Sequence, residues 1–264
     1  MLELKNIYKT FNPGTINEKR ALNGLNLKLN EGDFVTVIGG NGAGKSTMLN
    51  AVAGTWPVDE GQILIDNIDV TKLSEHKRAT YLGRVFQDPM TGTAATMGIE
   101  ENLALAKRRG KSRLLRSGIT KAEREEYKEL LKILGLGLED RLTSKVGLLS
   151  GGQRQALTLL MATLQKPKLL LLDEHTAALD PATAEKVLNL TKRIVAENKI
   201  TCLMITHNMQ SALELGNRTL MMNSGEIVLD IKDEERKGLT VSDLLEKFKE
   251  GVGAQLDNDR ILLS

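Results

Sequence analysis

The feature that most constrains the fold is a glycine-rich stretch that begins where an apolar, β-branched run ends. The run DFVTVI leads directly into GGNGAGKSTML. Gly39, four further residues and then Gly44, Lys45 and Ser46 fit the pattern G-x-x-x-x-G-K-[ST]. Bare glycine backbone folds tightly and aims amide groups into one concavity, where a following helix adds its positive end. The stretch predicts a phosphate-binding loop, although the pattern alone also fits a glycine-rich turn.

The composition is that of a soluble globular chain. Of its 264 residues, 41% are apolar and 27% are charged. The net charge of +2 predicts no strong attraction to nucleic acid or acidic lipid. No run approaches the roughly 20 apolar residues that a membrane span requires. The single cysteine, Cys202, lies in the apolar run ITCLMIT and is predicted to be a buried thiol in a reducing compartment.

Hydrophobic patterning predicts both antiparallel and parallel strands. LELKNIYKTF and LNGLNLKLNEGD alternate as antiparallel strands do, DFVTVIGG is typical of a central strand, and STMLNAVAG of a helix ended by Gly54. GQILIDNIDV indicates a short strand pair. KLLLLDE and TCLMITH are runs of the parallel-strand type, separated by a helix that starts at Asp180 and Pro181. RTLMMNSGEIVLDI predicts a hairpin, and Thr240-x-x-Asp243 predicts a helix cap.

These elements predict an α/β fold in one domain over 1–264. The expected architecture is a P-loop core with a mostly parallel sheet, an N-terminal antiparallel β-subdomain and an inserted α-helical subdomain. A long helical stretch with its own periodicity is more consistent with a subdomain than with a loop. The predicted bounds are 1–87 and 158–232 for the core with its β-subdomain, 88–157 for the helical subdomain and 233–264 for a short helical tail.

Two adjacent carboxylates, Asp173 and Glu174, end the buried run LLLLDE. Burying charge is costly, so carboxylates do not end such a strand by default. Beside a phosphate loop, Asp173 could hold Mg²⁺ and Glu174 could orient or deprotonate an attacking water. A solvated strand end remains the alternative for the pair alone.

A second anion-type site is indicated by LSGGQ at 149–153. Ser150, Gly151, Gly152 and Gln153 begin a helix with an apolar face, which exposes amide groups and a hydroxyl. An ordinary helix cap would explain the serine, but it would not explain a second phosphate-type site in one chain.

These motifs in this order resemble the nucleotide-binding subunits of ABC transporters. The resemblance rests on GGNGAGKST, LSGGQ, LLLLDE, AALD and ITH, and it covers almost the whole chain from Leu2 to about Asp230. It implies an ATPase with ATP and Mg²⁺ as cofactors. It also implies a dimer of two copies that closes on two ATP molecules, and separate transmembrane permease subunits.

The resemblance assigns roles residue by residue. Catalysis is implied for Glu174, for the switch histidine His207 and for Gln87 in VFQDP; Mg²⁺ binding is implied for Ser46, Gln87 and Asp173. Phe11 lies where the family places an aromatic residue that stacks on adenine. The remaining nucleotide-binding residues implied are Gly39, Asn41, Gly42, Ala43, Gly44, Lys45, Ser46, Thr47, Ser150, Gly151, Gly152, Gln153 and Asp180. His175 departs from the family, which usually has proline after the catalytic glutamate, and is interpreted as a tolerated variant.

Several alternatives are weighed. A GTPase would need an Asn-Lys-x-Asp motif, which is not found, and would lack LSGGQ. Soluble ABC ATPases usually have two cassettes or a long coiled-coil insertion, so a single short cassette favours transport.

Import is favoured over export because MGIEENLALA resembles cassettes of amino-acid-type importers. This predicts a peripheral protein on the cytoplasmic face of the membrane, with an extracytoplasmic substrate-binding protein as a further partner. The basic run KRRGKSRLLRSGITKAER is interpreted as a solvated face, with no nucleic acid bound.

Overall fold

The computed structural model describes residues 1–111 and 118–262, with side chains described up to residue 251. The central part of the basic run, 112–117, therefore lies outside the described residues. The chain forms two compact units. Unit 1 comprises Met1–Arg78 and the chain from Thr201 onward, and unit 2 comprises Ala79–Ile200.

The strands of the described chain are, in order, β1 Leu2–Phe11, β2 Lys19–Leu29, β3 Phe34–Gly39, β4 Glu60–Ile65, β5 Ile68–Asp69, β6 Leu82–Val85, β7 Leu169–Asp173, β8 Thr201–Ile205, β9 Arg218–Asn223 and β10 Glu226–Lys232. The helices are α1 Lys45–Ala53, α2 Glu75–Arg78, α3 Ile99–Lys107, α4 Lys121–Lys132, α5 Gly151–Thr163, α6 Pro181–Asn198, α7 Met209–Glu214, α8 Asp233–Arg236 and α9 Val241–Leu262. None of the described helices combines the length and the apolar character that crossing a bilayer requires.

Unit 1 contains an antiparallel sheet with the strand order β2-β1-β4-β5. Leu2 pairs with Leu29 and Leu4 pairs with Leu27, and all four side chains are buried. Alternation along paired strands places these leucines on one face, which packs into the core while the intervening residues face outward. The predicted antiparallel pairing of the N-terminal strands is confirmed.

Strand β3 is the central strand of the second sheet region of unit 1. It pairs in parallel with β8 on one side and with β9 on the other, and β9 and β10 form the predicted hairpin. The side chains from Phe34 to Ile38 are buried, as expected for a strand covered on both faces. Cys202 on β8 is fully buried, which confirms the predicted core thiol, and burial raises the pKa of that thiol.

Unit 2 pairs β6 with β7 in parallel and packs helices α3, α5 and α6 in its core. Val187, Leu190 and Ile194 on α6 are buried at the predicted helical spacing. The sequence analysis did not predict β6, because LGRV is only four residues long and contains both a glycine and an arginine. The described part of the basic run is partly neutralised by ion pairs from Lys107 to Glu126 and from Arg108 to Glu123.

The C-terminal segment is held to unit 1 by Arg236 of α8, which is 9% exposed. Its guanidinium donates to four carbonyls at or just beyond the end of α7, those of Ala212 (2.8 Å), Leu213 (2.9 Å), Leu215 (2.7 Å) and Gly216 (2.5 Å). The last carbonyls of a helix lack partners within the helix, and a cation there complements the helix dipole. Beyond it, Thr240 and Asp243 form the predicted cap of α9.

We expect Arg236→Met to destabilise unit 1 by about 2–4 kcal/mol, because several buried carbonyls would lose their donor. Urea unfolding followed by circular dichroism measures the change. Lys237→Met is the matched control, since Lys237 is exposed and pairs with Glu234 at the surface. A change below about 0.5 kcal/mol is expected there. Equal stability of the two variants would contradict this role of Arg236.

Candidate active site

In unit 1, backbone of other elements packs closely against the glycine-rich loop. Gly39 has a φ of +149° and Gly44 a φ of +99°. A Cβ atom would lie 2.3 Å from the Met222 carbonyl oxygen at Gly39 and 2.5 Å from the Ala21 carbonyl oxygen at Gly44. Both positions therefore exclude a side chain sterically, and a positive φ strains other residues as well. The glycines at these positions are required by close packing as well as by the loop's conformation.

Lys45 closes the loop from inside. Its side chain is buried, and Nζ donates to the carbonyl oxygens of Gly39 at 2.8 Å and Gly40 at 3.0 Å. The ammonium group is thus held at the loop, together with the first-turn amides of α1. Gly44, at the N-cap, has no side chain to cap those amides. A concavity with backbone donors and a fixed cation is suited to a phosphate group.

The far end of α1 is fixed by Arg78, which is 2% exposed. Its guanidinium donates to Ala51 at 2.7 Å and Val52 at 3.0 Å, which belong to the last turn of α1. It also donates to the carbonyls of Thr71 at 2.8 Å and Leu73 at 2.9 Å. Desolvation lowers the pKa of Arg78. The helix that begins at the phosphate loop is therefore anchored at its carboxyl end by a buried cation.

Phe11 ends β1 and lies against Trp56. The two rings meet edge to face, with centroids 5.0 Å apart, and the Lys9 ammonium lies 5.7 Å from the Phe11 centroid. Asp59 fixes this corner by accepting from Lys9 Nζ at 2.9 Å and from the Thr10 amide at 2.6 Å. The Phe11 ring is therefore half-buried and held in a fixed position by these neighbours.

His207 follows β8 at the edge of the sheet from which the phosphate loop also emerges. Because β3 and β8 are parallel, with Val37 opposite Ile205, their carboxyl ends meet at one edge. The Thr206 amide donates to Val37, and Asn208 caps α7 by accepting from the Ser211 amide at 2.9 Å. His207 is exposed between these two anchored residues.

In unit 2 the parallel pair β6 and β7 brings Gln87, Asp173 and Glu174 to one edge. Arg84 of β6 lies 3.9 Å from the Asp173 carboxylate of β7. Glu174 has a φ of +46°, a left-handed conformation that is uncommon for a residue with a side chain. Such strain is tolerated where surrounding structure fixes the backbone.

His175, which the sequence analysis interpreted as a tolerated variant, is a core residue. Its ring is 1% exposed, and Nε2 lies 3.0 Å from the Thr191 hydroxyl of α6. Since that hydroxyl donates to the Val187 carbonyl at 2.8 Å, it accepts from Nε2–H. The ring therefore carries its hydrogen on Nε2 and is neutral, and burial lowers its pKa to about 4. His175 ties the backbone directly after Glu174 to α6.

The LSGGQ segment forms the predicted helix start. Ser150 Oγ accepts from the Gln153 amide at 3.3 Å, and Gln153 Oε1 accepts from the Ser150 amide at 3.2 Å, which is a capping box. Gly152 has a separate packing reason, because a Cβ there would lie 2.1 Å from Thr183 Cγ2. Asp180 caps α6 by accepting from the Thr183 amide at 3.1 Å, and hydrogen bonds from Thr183 lower the pKa of its carboxyl.

Comparison with known proteins decides the family. Residues 22–177 match the ABC transporter family. A tyrosine transport ATP-binding protein of Clostridioides difficile is 46% identical over 253 residues, covering 96% of this chain and 100% of that protein. The phosphonates import ATP-binding protein PhnC of Treponema denticola is 35% identical over 87% of this chain and 89% of its own length. The chain belongs to the ABC transporter family.

Solved ABC cassettes share the fold. The dimeric post-hydrolysis state of the ATP-binding cassette MJ0796, bound to ADP and Pi, has a TM-score of 0.75 and 33% identity and covers 88% of this chain and 98% of its own. The ADP conformation of the cassette MJ1267 has a TM-score of 0.77 and 28% identity and covers 94% and 98%. The predicted fold class is confirmed, and membership of this family makes the chain an ATPase, the motor subunit of a transporter.

The ABC cassette structure also reveals positioning residues that sequence reasoning missed. In unit 2, Gln155 of α5 donates to the Phe86 carbonyl at 3.1 Å, just before Gln87. Arg154 donates to the Val146 carbonyl and contacts Met90, while Asn102 bonds the backbone of Ala94 at its amide and its carbonyl. The helix that starts at LSGGQ is thus tied to the segment after Gln87. Single polar residues in helical sequence gave no signal of these contacts.

We expect the stability of the cassette to fall as pH drops from about 6.5 towards 4, because His175 binds a proton in the unfolded chain but not in the folded one. The loss should approach about 3 kcal/mol, since one pKa unit corresponds to about 1.4 kcal/mol. Urea unfolding at a series of pH values measures it. His175→Gln should remove this part of the pH dependence, whereas His76→Gln, at an exposed position, should retain it. An unchanged profile for His175→Gln would refute the assignment.

Proposed function

We propose that this ABC cassette drives the uptake of an amino acid through separate membrane subunits by hydrolysing ATP. The observation that carries the proposal is the closed phosphate loop, with Lys45 held against Gly39 and Gly40, in a chain that is 46% identical to a tyrosine transport ATP-binding protein over nearly its full length. Similarity to this relative indicates an aromatic amino acid as the transported solute.

The residues of unit 1 bind the nucleotide in this proposal. Phe11 stacks on adenine, while the amides of 39–47 and the Lys45 ammonium surround the β- and γ-phosphates. His207, at the same sheet edge as the loop, contacts the γ-phosphate. Lys45 exchanges its two backbone carbonyl partners for phosphate oxygens, which are stronger acceptors because they carry charge.

The oxygen donors present suit Mg²⁺. The Ser46 hydroxyl, the Gln87 amide oxygen and the Asp173 carboxylate are hard ligands, and Mg²⁺ is usually held by one or two carboxylates together with substrate phosphates. When bound, the ion would neutralise charge on the phosphates. The guanidinium of Arg84 lies 3.9 Å from the Asp173 carboxylate and attracts it electrostatically.

Glu174 acts as the general base in the proposed reaction. Its backbone is fixed in a left-handed conformation between the buried strand β7 and His175, which is bonded to α6. A carboxylate held in this way can accept the proton of an attacking water, and Gln87 orients that water. The leaving group is ADP, and the products are ADP and inorganic phosphate.

A second copy of the chain completes each nucleotide site in this proposal. Ser150, Gly151, Gly152 and Gln153 bind the nucleotide held by a second copy, and Asp180 lies at the interface between copies. The dimer of MJ0796 supports this pairing. Closure requires ATP because only ATP offers a γ-phosphate to both copies. Motion then reaches the permease subunits through the segment around Gln87–Met97, on the cytoplasmic face of the membrane, and an extracytoplasmic protein delivers the solute.

We expect Glu174→Gln to reduce ATP hydrolysis by about 10²-fold or more, because the amide keeps the shape of the side chain and loses the base. Its affinity for Mg-ATP should stay within about threefold of the wild-type value. Phosphate release and fluorescent ATP binding are measured side by side, and size exclusion should show an ATP-dependent dimer. Glu185→Gln, exposed on α6, is the matched control and should hydrolyse ATP normally. A fully active Glu174→Gln would move the base role elsewhere, with His207 the next candidate.

We expect a strain that lacks this chain to lose uptake of radiolabelled tyrosine, and the wild-type chain to restore it. Lys45→Ala should not restore uptake, because phosphate charge would lose its main cationic partner. Uptake of an unrelated sugar serves as the control. Normal tyrosine uptake in the deletion strain, with loss of uptake of another solute, would overturn the solute assignment and leave the motor role intact.

A further inference from the structure

We propose that Lys19 is a second phosphate-binding cation at the nucleotide site, contacting the phosphate chain of ATP and ADP from the rim of the loop. This inference rests on the proposed function of the loop in ATP binding. Lys19 lies outside every motif identified in the sequence, and the geometry of unit 1 points to it.

The start of β2 runs alongside the phosphate loop. A Cβ built on Gly42 would lie 3.0 Å from Lys19 Nζ, and one built on Gly44 would lie 2.5 Å from the Ala21 carbonyl oxygen. The backbone of β2 at Ala21 therefore lies against Gly44, and the end of the Lys19 side chain lies beside Gly42. The Lys19 ammonium group lies directly at the middle of the loop.

Lys19 is also the cross-strand partner of Phe11. Directly opposed residues of an antiparallel pair project from the same face of the sheet. The lysine stem therefore starts beside the proposed adenine-binding ring and its ammonium ends at the proposed phosphate-binding loop. This is the path that a nucleotide would follow from its base to its phosphates, and the charged end of Lys19 lies at the phosphate end.

The turn that leads into Lys19 is fixed by hydrogen bonds of its own. The Gly14 amide donates to the Glu18 carboxylate at 2.7 Å, and the Glu18 amide donates to the Thr15 carbonyl at 3.0 Å. The neighbouring cations are directed elsewhere: Lys9 pairs with Asp59 at 2.9 Å, and Arg20 donates to Asn23 at 3.3 Å. Alternation along β2 places Arg20 on the opposite face from Lys19. The arrangement presents Lys19 to the loop.

A charge at this position acts on a ligand in proportion to the ligand's own charge. Lys45 contacts the loop from within, whereas Lys19 is exposed at its rim. Its contribution should therefore be smaller than that of Lys45 and should weaken as salt is added. It should act on ATP and ADP, which carry a phosphate chain, and not on adenosine, which carries none.

The test compares nucleotide affinities of full-length Lys19→Met, Lys19→Arg and Arg20→Met with the wild type. The single tryptophan, Trp56, packs against Phe11 and reports binding by its fluorescence. Mg-ATP, Mg-ADP and adenosine are titrated at low and at high salt. We expect Lys19→Met to weaken ATP and ADP binding by about five- to tenfold at low salt. The loss should shrink at high salt, and adenosine affinity should not change. Lys19→Arg and Arg20→Met should bind within about twofold of the wild type.

ATP affinity of Lys19→Met within twofold of the wild type would overturn the inference. So would an equal loss for adenosine, because Lys19 would then act on the base or on the fold. Circular dichroism of Lys19→Met checks the fold, and Lys19→Gln provides a second neutral variant. If the wild type itself failed to bind ATP, the proposed function would fall together with this inference. Normal ATP binding and hydrolysis in Lys19→Met would reject the inference alone.

Discussion

The structure depends on one constraint: a loop of nearly bare backbone must be held in a tight concavity, although its own side chains contribute almost nothing to packing. Backbone groups of other elements pack against the loop and hold it. The carbonyls of Met222 and Ala21 occupy the space where side chains would stand at Gly39 and Gly44, and the Gly225 amide donates to the Ala43 carbonyl. Lys45 adds hydrogen bonds to the carbonyls of Gly39 and Gly40 from inside the loop. The β2 strand and the β9–β10 turn are therefore part of the site, because they provide the surface against which the loop is packed.

Two buried arginines extend this principle to the helices of unit 1. Arg78 donates hydrogen bonds to carbonyls at the end of α1, the helix that begins at the phosphate loop. Arg236 does the same at the end of α7, the helix that follows His207. A guanidinium group has five donors, so one side chain can satisfy several helix-terminal carbonyls and place a positive charge at the negative end of the helix. The two elements that present Lys45 and His207 are each anchored at the end remote from the chemistry.

Unit 2 fixes its functional backbone through side chains that bond to main-chain groups. Gln155 bonds the carbonyl before Gln87, Asn102 bonds Ala94, and His175 joins the residue after Glu174 to α6. Buried polar side chains are costly unless they are hydrogen-bonded, so each of them also selects one arrangement of the segment that it contacts. The left-handed backbone of Glu174 is held within such surroundings.

The sequence by itself determined most of the strands, the P-loop α/β class and the family. These follow from local signals: alternation in β1 and β2, apolar runs in β3 and β7, and the spacing of Gly39, Gly44 and Lys45. Local signals report backbone conformation and burial, which are properties of neighbouring residues. Only the tertiary structure shows where Arg78, His175 and Lys19 reach. Arg78 bonds to backbone and His175 to a hydroxyl of other elements, and the Lys19 ammonium group lies beside Gly42 of the loop. No periodicity or motif records which residue a long polar side chain will reach.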